Sequence, residues 1–310
     1  MKILSALICV ICFASACDRV PYKDAYENPT PIFPTDTLQN DSSETDSAGN
    51  STYLNVTNFD QNVLLEDYTG HTCGNCPYAA TETQKIEAFY GKRVVVMAIH
   101  CGQFAKPNLN PNETSFKADF RTSIGDELDN KYGPSNAGLP KGIANRKKFS
   151  STKISLLNHT EWGNRVNTLI SQQGNGVGLR INPKFNSTTR KIRLYAKAAF
   201  KMAYSGKLKM ATYIIEDSIV SWQKLYPTPS TSIEIENYVH NHVLRSGLSP
   251  GSGSFELTSS SEIIENQSYK SEWFGVLPVN VNVNQAKVIL ILYRSDNDEI
   301  VQVTEEKLVK

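Results

Sequence analysis

The feature that most constrains this chain is the segment from Val63 to Cys101, VLLEDYTGHTCGNCPYAATETQKIEAFYGKRVVVMAIHC. Val63 to Tyr68 reads as a strand, and a short turn through Gly70 and His71 follows it. Cys73-Gly74-Asn75-Cys76 then stands just ahead of Pro77 and a helix-forming stretch that runs to about Tyr90. After Gly91, the residues from Val94 to Ile99 are almost purely apolar and β-branched, the composition of a strand buried on both faces of a parallel sheet. The order is therefore strand, CxxC, helix, strand.

That arrangement has a specific chemistry. A sulfur at a helix start lies near unsatisfied backbone N–H groups and the positive end of the helix dipole, which favours thiolate, the nucleophile of thiol–disulfide exchange. Pro77 suits the first helical turn because its missing donor would be unpaired there anyway. Cys73 is accordingly read as the more exposed, attacking thiol and Cys76 as the resolving one. A CxxC alone also serves as half a zinc site; within a βαβ frame it points to a thioredoxin-like redox site.

The N-terminus reads as a targeting segment. Lys2 precedes an apolar stretch from Ile3 to Phe13, far shorter than the roughly 20 residues that span a bilayer, and Ala14-Ser15-Ala16 leads directly to Cys17. This resembles a lipobox with Ala in place of the usual Leu, although the same tripeptide suits ordinary signal peptidase. Residues 1–16 are read as the signal, Cys17 as the lipidated residue, and 17–52, rich in Pro, Asn, Asp, Ser and Thr, as a flexible tether. Six cysteines then reduce to Cys73, Cys76 and Cys101, one pair and one extra rather than a disulfide framework. With 32 basic and 31 acidic residues the charge is balanced, and no basic, aromatic patch suggests nucleic acid.

A thioredoxin-like domain is expected over 53–174, with a helical insertion at about 107–135. Within it, Phe116, Phe120, Ile124 and Leu128, spaced by four, predict a helix from about Glu113 to Lys131. Pro140 is expected to be a cis-proline at the start of the following strand, facing the CxxC, and a helix from Glu161 to about Gln172 closes the domain. From about Asn175 the pattern changes to short β-branched runs at Val177–Ile181, Lys191–Phe200, Lys209–Ile215, Phe255–Leu257 and Lys287–Tyr293, ending in a hairpin that turns at Ser295–Asp298. The fold class expected is thus α/β followed by an all-β, sandwich-like domain over 175–310.

Gly70-His71-Thr72-Cys73-Gly74-Asn75-Cys76-Pro77, Pro140 with Asn145-Arg146, and Tyr238-Val239-His240-Asn241-His242-Val243-Leu244-Arg245 together resemble the outer-membrane-protein-28-related lipoproteins of Gram-negative bacteria. That resemblance implies a thioredoxin-like domain, a β-rich domain and an anchor in the outer membrane. It departs from thioredoxins themselves, which carry an aromatic residue before the first cysteine and Gly-Pro between the two, where this chain has Thr72 and Gly74-Asn75.

In a parallel βαβ unit both strands end at the same sheet edge, so His100 and Cys101 are expected near Cys73 and Cys76, with His71 close in sequence. An imidazole there assists proton transfer, or the three cysteines and a histidine form a zinc site; Cys101 is alternatively a small buried hydrophobe. His240 and His242, two apart, would lie on one face of a strand and could share a metal, but no third ligand of obvious type is near, and they are read as hydrogen-bonded polar residues at a strand end or domain contact. No cofactor and no metal is assigned. Two functions remain: a membrane-tethered thiol–disulfide oxidoreductase acting on protein thiols and disulfides outside the cytoplasm, and a binding or adhesion lipoprotein whose CxxC only braces the fold.

Overall fold

The computed structural model describes residues 55–309 except 151, 173, 175, 249–254 and 259. The signal at 1–16, Cys17 and the tether at 17–52 lie outside the described residues. No helix among the described residues is long and apolar enough to cross a membrane.

Strands β1 (Val63–Thr69) and β2 (Val94–His100) are buried along their whole length and pair in parallel, Val63 opposite Val94 through Thr69 opposite His100. Helix α1 (Cys76–Tyr90) makes the crossover between them, with Asn75 as its N-cap and Pro77 in its first turn. After helix α2 (Ser123–Tyr132), strand β3 (Lys141–Ala144) pairs antiparallel with β1, and the Leu139–Pro140 bond that precedes it is cis. Helix α3 (His159–Ile170) starts in a capping box of Asn158 and Glu161. Gly142 of β3 faces the Trp162 ring of α3 so closely that a Cβ there would lie 2.2 Å from its Nε1.

The helix expected from Glu113 to Lys131 is shorter than its apolar spacing suggests. It begins only at Ser123, where the Thr122 hydroxyl caps the Gly125 N–H, because Phe116 adopts a left-handed backbone (φ 58°) that no helix accommodates. Phe116 and Phe120 are nonetheless buried with Ile124 and Leu128, so the period of four marks the apolar residues correctly while a loop delivers the first two.

The remaining chain is nearly all strand: β4 (Val177–Phe185), β5 (Lys191–Phe200), β6 (Tyr204–Ser205), β7 (Leu208–Glu216), β8 (Ile219–Thr228), β9 (Thr231–His240), β10 (Val243–Ser246), β11 (Phe255–Glu256), β12 (Glu262–Ile263), β13 (Ser268–Val276), β14 (Ala286–Arg294) and β15 (Ile300–Lys307). The main sheet has eight strands, in the order β15-β14-β7-β10-β2-β1-β3 with β11 beside β7, and mixes parallel and antiparallel pairing. It runs without a break from the CxxC-bearing segment into the second half of the chain. The link is β10, parallel to β2 at Val243 and Ala98 and antiparallel to β7.

Alternation along the strands divides the interior into three cores. On one face, Val63, Leu65, Val94 and Val96 pack under α1 and α3 against Ile86, Trp162 and Val166. Farther along that sheet, Met210, Ile214, Val288 and Leu290 meet the smaller sheet β13-β5-β4 through Ile181, Leu194 and Phe200, a sheet-on-sheet contact. The opposite face carries Tyr68, Met97, Ile99, Tyr213, Ile289 and Tyr293 under α2.

In that third core lies a buried ion pair. Arg146 donates from Nε and Nη2 to the Glu66 carboxylate at 2.7–3.2 Å, with side-chain exposures of 3% and 0%. The guanidinium lies 5.4 Å from the Tyr132 ring centroid and 5.8 Å from that of Tyr293, and reaches the Tyr213 hydroxyl at 3.4 Å. Arg146 enters from a left-handed turn: Asn145 and Arg146 have φ of 45° and 50°, and the Asn145 side chain accepts the Leu64 N–H at 2.7 Å. Removing one partner strands a buried charge, whereas removing both does not. Arg146→Ala is therefore expected to lower the unfolding free energy by about 3–5 kcal/mol in urea titration, and Glu66→Leu with Arg146→Met by much less. Equal losses in the two proteins would show that the pair is not the source of the cost.

Candidate active site

Cys73 and Cys76 form a disulfide, with an S–S distance of 2.05 Å, between the end of β1 and the start of α1. The Cys73 N–H donates to the Gly70 carbonyl and the Cys76 N–H to that of Cys73, a tight turn that sets the pair directly ahead of the helix. Register places Lys141 opposite Tyr68, so Pro140, buried, enters the sheet at the end where the β1–α1 loop emerges.

The expectation that Cys73 is the more exposed thiol is not met: Cys73 is 3% exposed and Cys76 2%. The cover is the β8–β9 hairpin. Lys224 N–H donates to the His71 carbonyl at 2.8 Å and Tyr226 N–H to the Gly74 carbonyl at 2.9 Å, while the Gln223 amide donates to the Cys73 carbonyl at 3.0 Å. The Tyr226 ring lies on Gly74 itself, where a Cβ would stand 2.3 Å from it, so a side chain at position 74 would displace that ring.

Beneath the disulfide is a small cavity of about 40 Å³ whose lining includes Asp67, Cys76, His100, Gln223, His240 and His242. Asp67, on the α1 side of β1, is 4% exposed, and its Oδ1 has no hydrogen-bond partner among the described residues. Burial pushes its pKa up to about 7, with the charge of His242 pulling the other way. His100 is held well below the ordinary imidazole range by burial and by His240 beside it, their ring centroids 5.6 Å apart. His240 is pushed down to about 4, again chiefly by burial. For His242 burial acts downward too, but its hydrogen bond to Glu87 (3.1 Å) and the nearby Asp217 carboxylate outweigh it and raise the pKa.

The other expected residues separate. His71 is fully buried, its Nε2 on the Lys106 carbonyl at 3.0 Å and its ring against Phe116 and Phe120, so it offers the site a backbone carbonyl rather than an imidazole. Cys101 does not join the CxxC. It follows β2 in the core beneath α2, a free buried thiol whose pKa burial and Asp129 raise, and a zinc set of three cysteines is not assembled. His240 and His242 do not share a strand face as expected, because β9 ends at His240 and His242 turns left-handed (φ 58°); they line the same cavity from different backbone directions. Asp67 is the residue that the sequence alone does not single out, although two adjacent carboxylates, Glu66 and Asp67, at the end of an apolar run are a visible signal. A larger cleft of about 390 Å³ beside Lys147, Arg294 and Glu299 lies apart from the disulfide, and its cations are already taken by Glu299 and Asp296.

Residues 125–310 match the family described as outer membrane protein Omp28. Among solved structures, HBP35 of Porphyromonas gingivalis superposes with a TM-score of 0.56 at 15% identity, covering 82% of this chain and 77% of that one, a likeness of fold. A protein from Agrobacterium tumefaciens gives 0.45 at 13% identity over 82% of this chain and 97% of that one. A domain of the outer membrane lipoprotein Omp28 from Porphyromonas gingivalis gives 0.28 at 15% identity over 43% of this chain and 88% of that one. No curated protein matches the sequence.

The Asp67 environment has a measurable signature. A carboxyl whose pKa is raised on folding contributes stability that is full below its unfolded value near 4 and is lost as pH rises through about 7. Relative to Asp67→Asn, the native protein is expected to lose up to about 4 kcal/mol of unfolding free energy between pH 4 and 8. Parallel pH profiles in urea unfolding would overturn this assignment.

Proposed function

The chain belongs to the Omp28 family of outer membrane proteins and resides at the outer membrane of the cell envelope; from that premise we propose that it is a lipid-anchored thiol–disulfide exchange protein acting on client polypeptides. Cys17 carries the anchor, residues 53–174 supply a thioredoxin-like unit, and 175–310 form a sandwich-like unit that shares its sheet. The observation that carries the reading is the Asp67 carboxyl, buried in one small cavity with Cys76. A disulfide that only braces a fold needs no titratable acid beneath it, and burying one costs stability.

The exchange runs as follows. In the dithiol form, Cys73 thiolate attacks one sulfur of a client disulfide; a bond forms between Cys73 and that sulfur while the client S–S bond breaks, and the departing client thiolate takes up a proton. The Asp67 carboxylate accepts the Cys76 proton, Cys76 attacks the Cys73 sulfur of the mixed disulfide, and the second client thiolate is expelled and takes that proton from Asp67, which returns to carboxylate. The products are a client dithiol and the Cys73–Cys76 disulfide, the form present here. The reverse sequence oxidises a client dithiol, with neutral Asp67 protonating Cys76 as it leaves. A pKa of about 7 suits both directions near neutral pH.

A second reading, a binding lipoprotein with a bracing disulfide, is favoured by the 3% exposure of Cys73. Insulin reduction by the full-length protein in detergent, with dithiothreitol as the two-electron donor that regenerates the Cys73–Cys76 dithiol, separates them. Turnover is expected in the native chain, none above background in Cys73→Ser, and a rate reduced at least about tenfold in Asp67→Asn. Cys76→Ser is expected to accumulate mixed disulfides on Cys73. Turnover indistinguishable from the Cys73→Ser control would leave the bracing role. Cys17→Ser is expected to move the protein from the membrane fraction to the soluble one.

A further inference from the structure

The two hydrogen bonds that seat the hairpin on the disulfide come from one edge of one strand. Lys224 and Tyr226 are two residues apart on β8, so their N–H groups point the same way, and they meet the His71 and Gly74 carbonyls on either side of Cys73. Any extended polypeptide presents donors at that spacing. The loop therefore offers a strand-docking edge of two backbone carbonyls, which recognises main chain rather than a particular side chain.

The hairpin is built to leave. It forms its own two-stranded sheet and pairs with no other strand among the described residues. Among its residues only Gln223 and His240 are buried, both polar, whereas Val220, Tyr226, Ile233 and Val239 are 37–59% exposed. Its attachments include the backbone pair and the Gln223 amide, the Tyr78 hydroxyl on the Tyr226 carbonyl at 2.9 Å, the Tyr226 ring on Gly74, the Lys224 ammonium over the Phe116 ring, and ring contacts of Trp222 with Phe116 and of His240 with Phe120 and His100. Ile219, Trp222, Leu225, Ile235 and Tyr238 are half-buried and no apolar side chain of the hairpin is fully so, and such an element opens more readily than a strand that packs a core. Its two ends carry non-glycine residues in the left-handed region, Ser218 (φ 60°) and His242 (φ 58°), with the Ser218 N–H on the Asn241 side chain at 3.0 Å. Beyond these turns the chain is fixed, since Asp217 holds the His242 N–H at 2.8 Å and the His242 carbonyl accepts the Ala98 N–H at 2.8 Å.

We infer that β8 is a resident stand-in for an extended client polypeptide, and that the β8–β9 hairpin is a lid hinged at Ser218 and His242, displaced when a client strand takes the His71 and Gly74 carbonyls. The purpose of such a lid rests on the exchange function proposed above; its presence does not. A bare small reductant gains no backbone bonds and meets the closed form, whereas a client polypeptide exchanges strand for strand and uncovers Cys73 as it binds.

The test uses full-length protein and a fluorescent, cysteine-free peptide with the sequence of residues 221–228, SWQKLYPT. Lys224→Pro removes the donor to His71 and leaves the carbonyl free. That variant is expected to bind the peptide roughly tenfold more tightly than the native chain, and its disulfide to be reduced by a phosphine roughly tenfold faster, as the loss of one or two hydrogen bonds implies. The same peptide methylated on the two backbone nitrogens corresponding to Lys224 and Tyr226 is expected not to bind. If Lys224→Pro does not fold, Gln223→Ala, which deletes only the side-chain amide, serves the same comparison. Equal peptide affinity and equal reduction rates in folded variant and native chain would overturn the lid, as would binding indifferent to methylation. Peptide exchange without insulin turnover would defeat the exchange function alone, and turnover without any effect of these changes would defeat the lid alone.

Discussion

The Glu66–Arg146 pair is the constraint around which the two halves of the chain are assembled. Glu66 lies on β1, Arg146 follows β3, and the tyrosines around the guanidinium come from α2, β7 and β14. Both charges are out of water, so the pair is tolerated only when every one of these elements is in place. Its contribution is thus less to net stability than to a single permitted arrangement of the sheet. The consecutive left-handed residues Asn145 and Arg146 follow from it, because only that turn sends Arg146 inward while Asn145 closes the edge of β1.

The disulfide depends on this frame at one remove. The shared sheet holds β10 beside β2 and β7 next beyond it, and the hairpin leaves β7 and returns to β10. The excursion between them must therefore start and finish next to the end of β2, which is where the CxxC stands. A group of charges, Glu87, Asp217, His242 and Lys287, fixes its two roots. Rigid roots, fully buried residues that are both polar (Gln223 and His240) and exposed apolar residues outside distinguish this segment from the strands that pack a core.

What the sequence disclosed, and what it concealed, follows from where stability comes from. β1, α1 and β2 were legible because Val94 to Ile99 and the turn before Pro77 satisfy local rules that tertiary context does not override. The run from Gly70 to Pro77, Pro140 with Asn145-Arg146, and the stretch from Tyr238 to Arg245 were enough to place the chain near its family, and the match over 125–310 bears that out. The hairpin is hard to read because β8 lacks regular alternation and carries Pro227, with Pro229 in the turn after it, although Ile233 and Ile235 alternating with glutamates in β9 are the period of a half-exposed strand. The start of α2 escaped because its apolar spacing continues through a loop. Asp67 was passed over because its meaning depends on depth, and depth belongs to the assembled sheet rather than to the strand.

The pairing of β10 with β2 has a consequence for how such a chain is delivered. Export is vectorial, so the strand carrying Ala98 reaches the far side of the inner membrane long before Val243 does. Until then the open edge of β2 has no neighbour, and an unpaired strand edge attracts other chains. That edge closes only when β10, late in the chain, is available to pair with it.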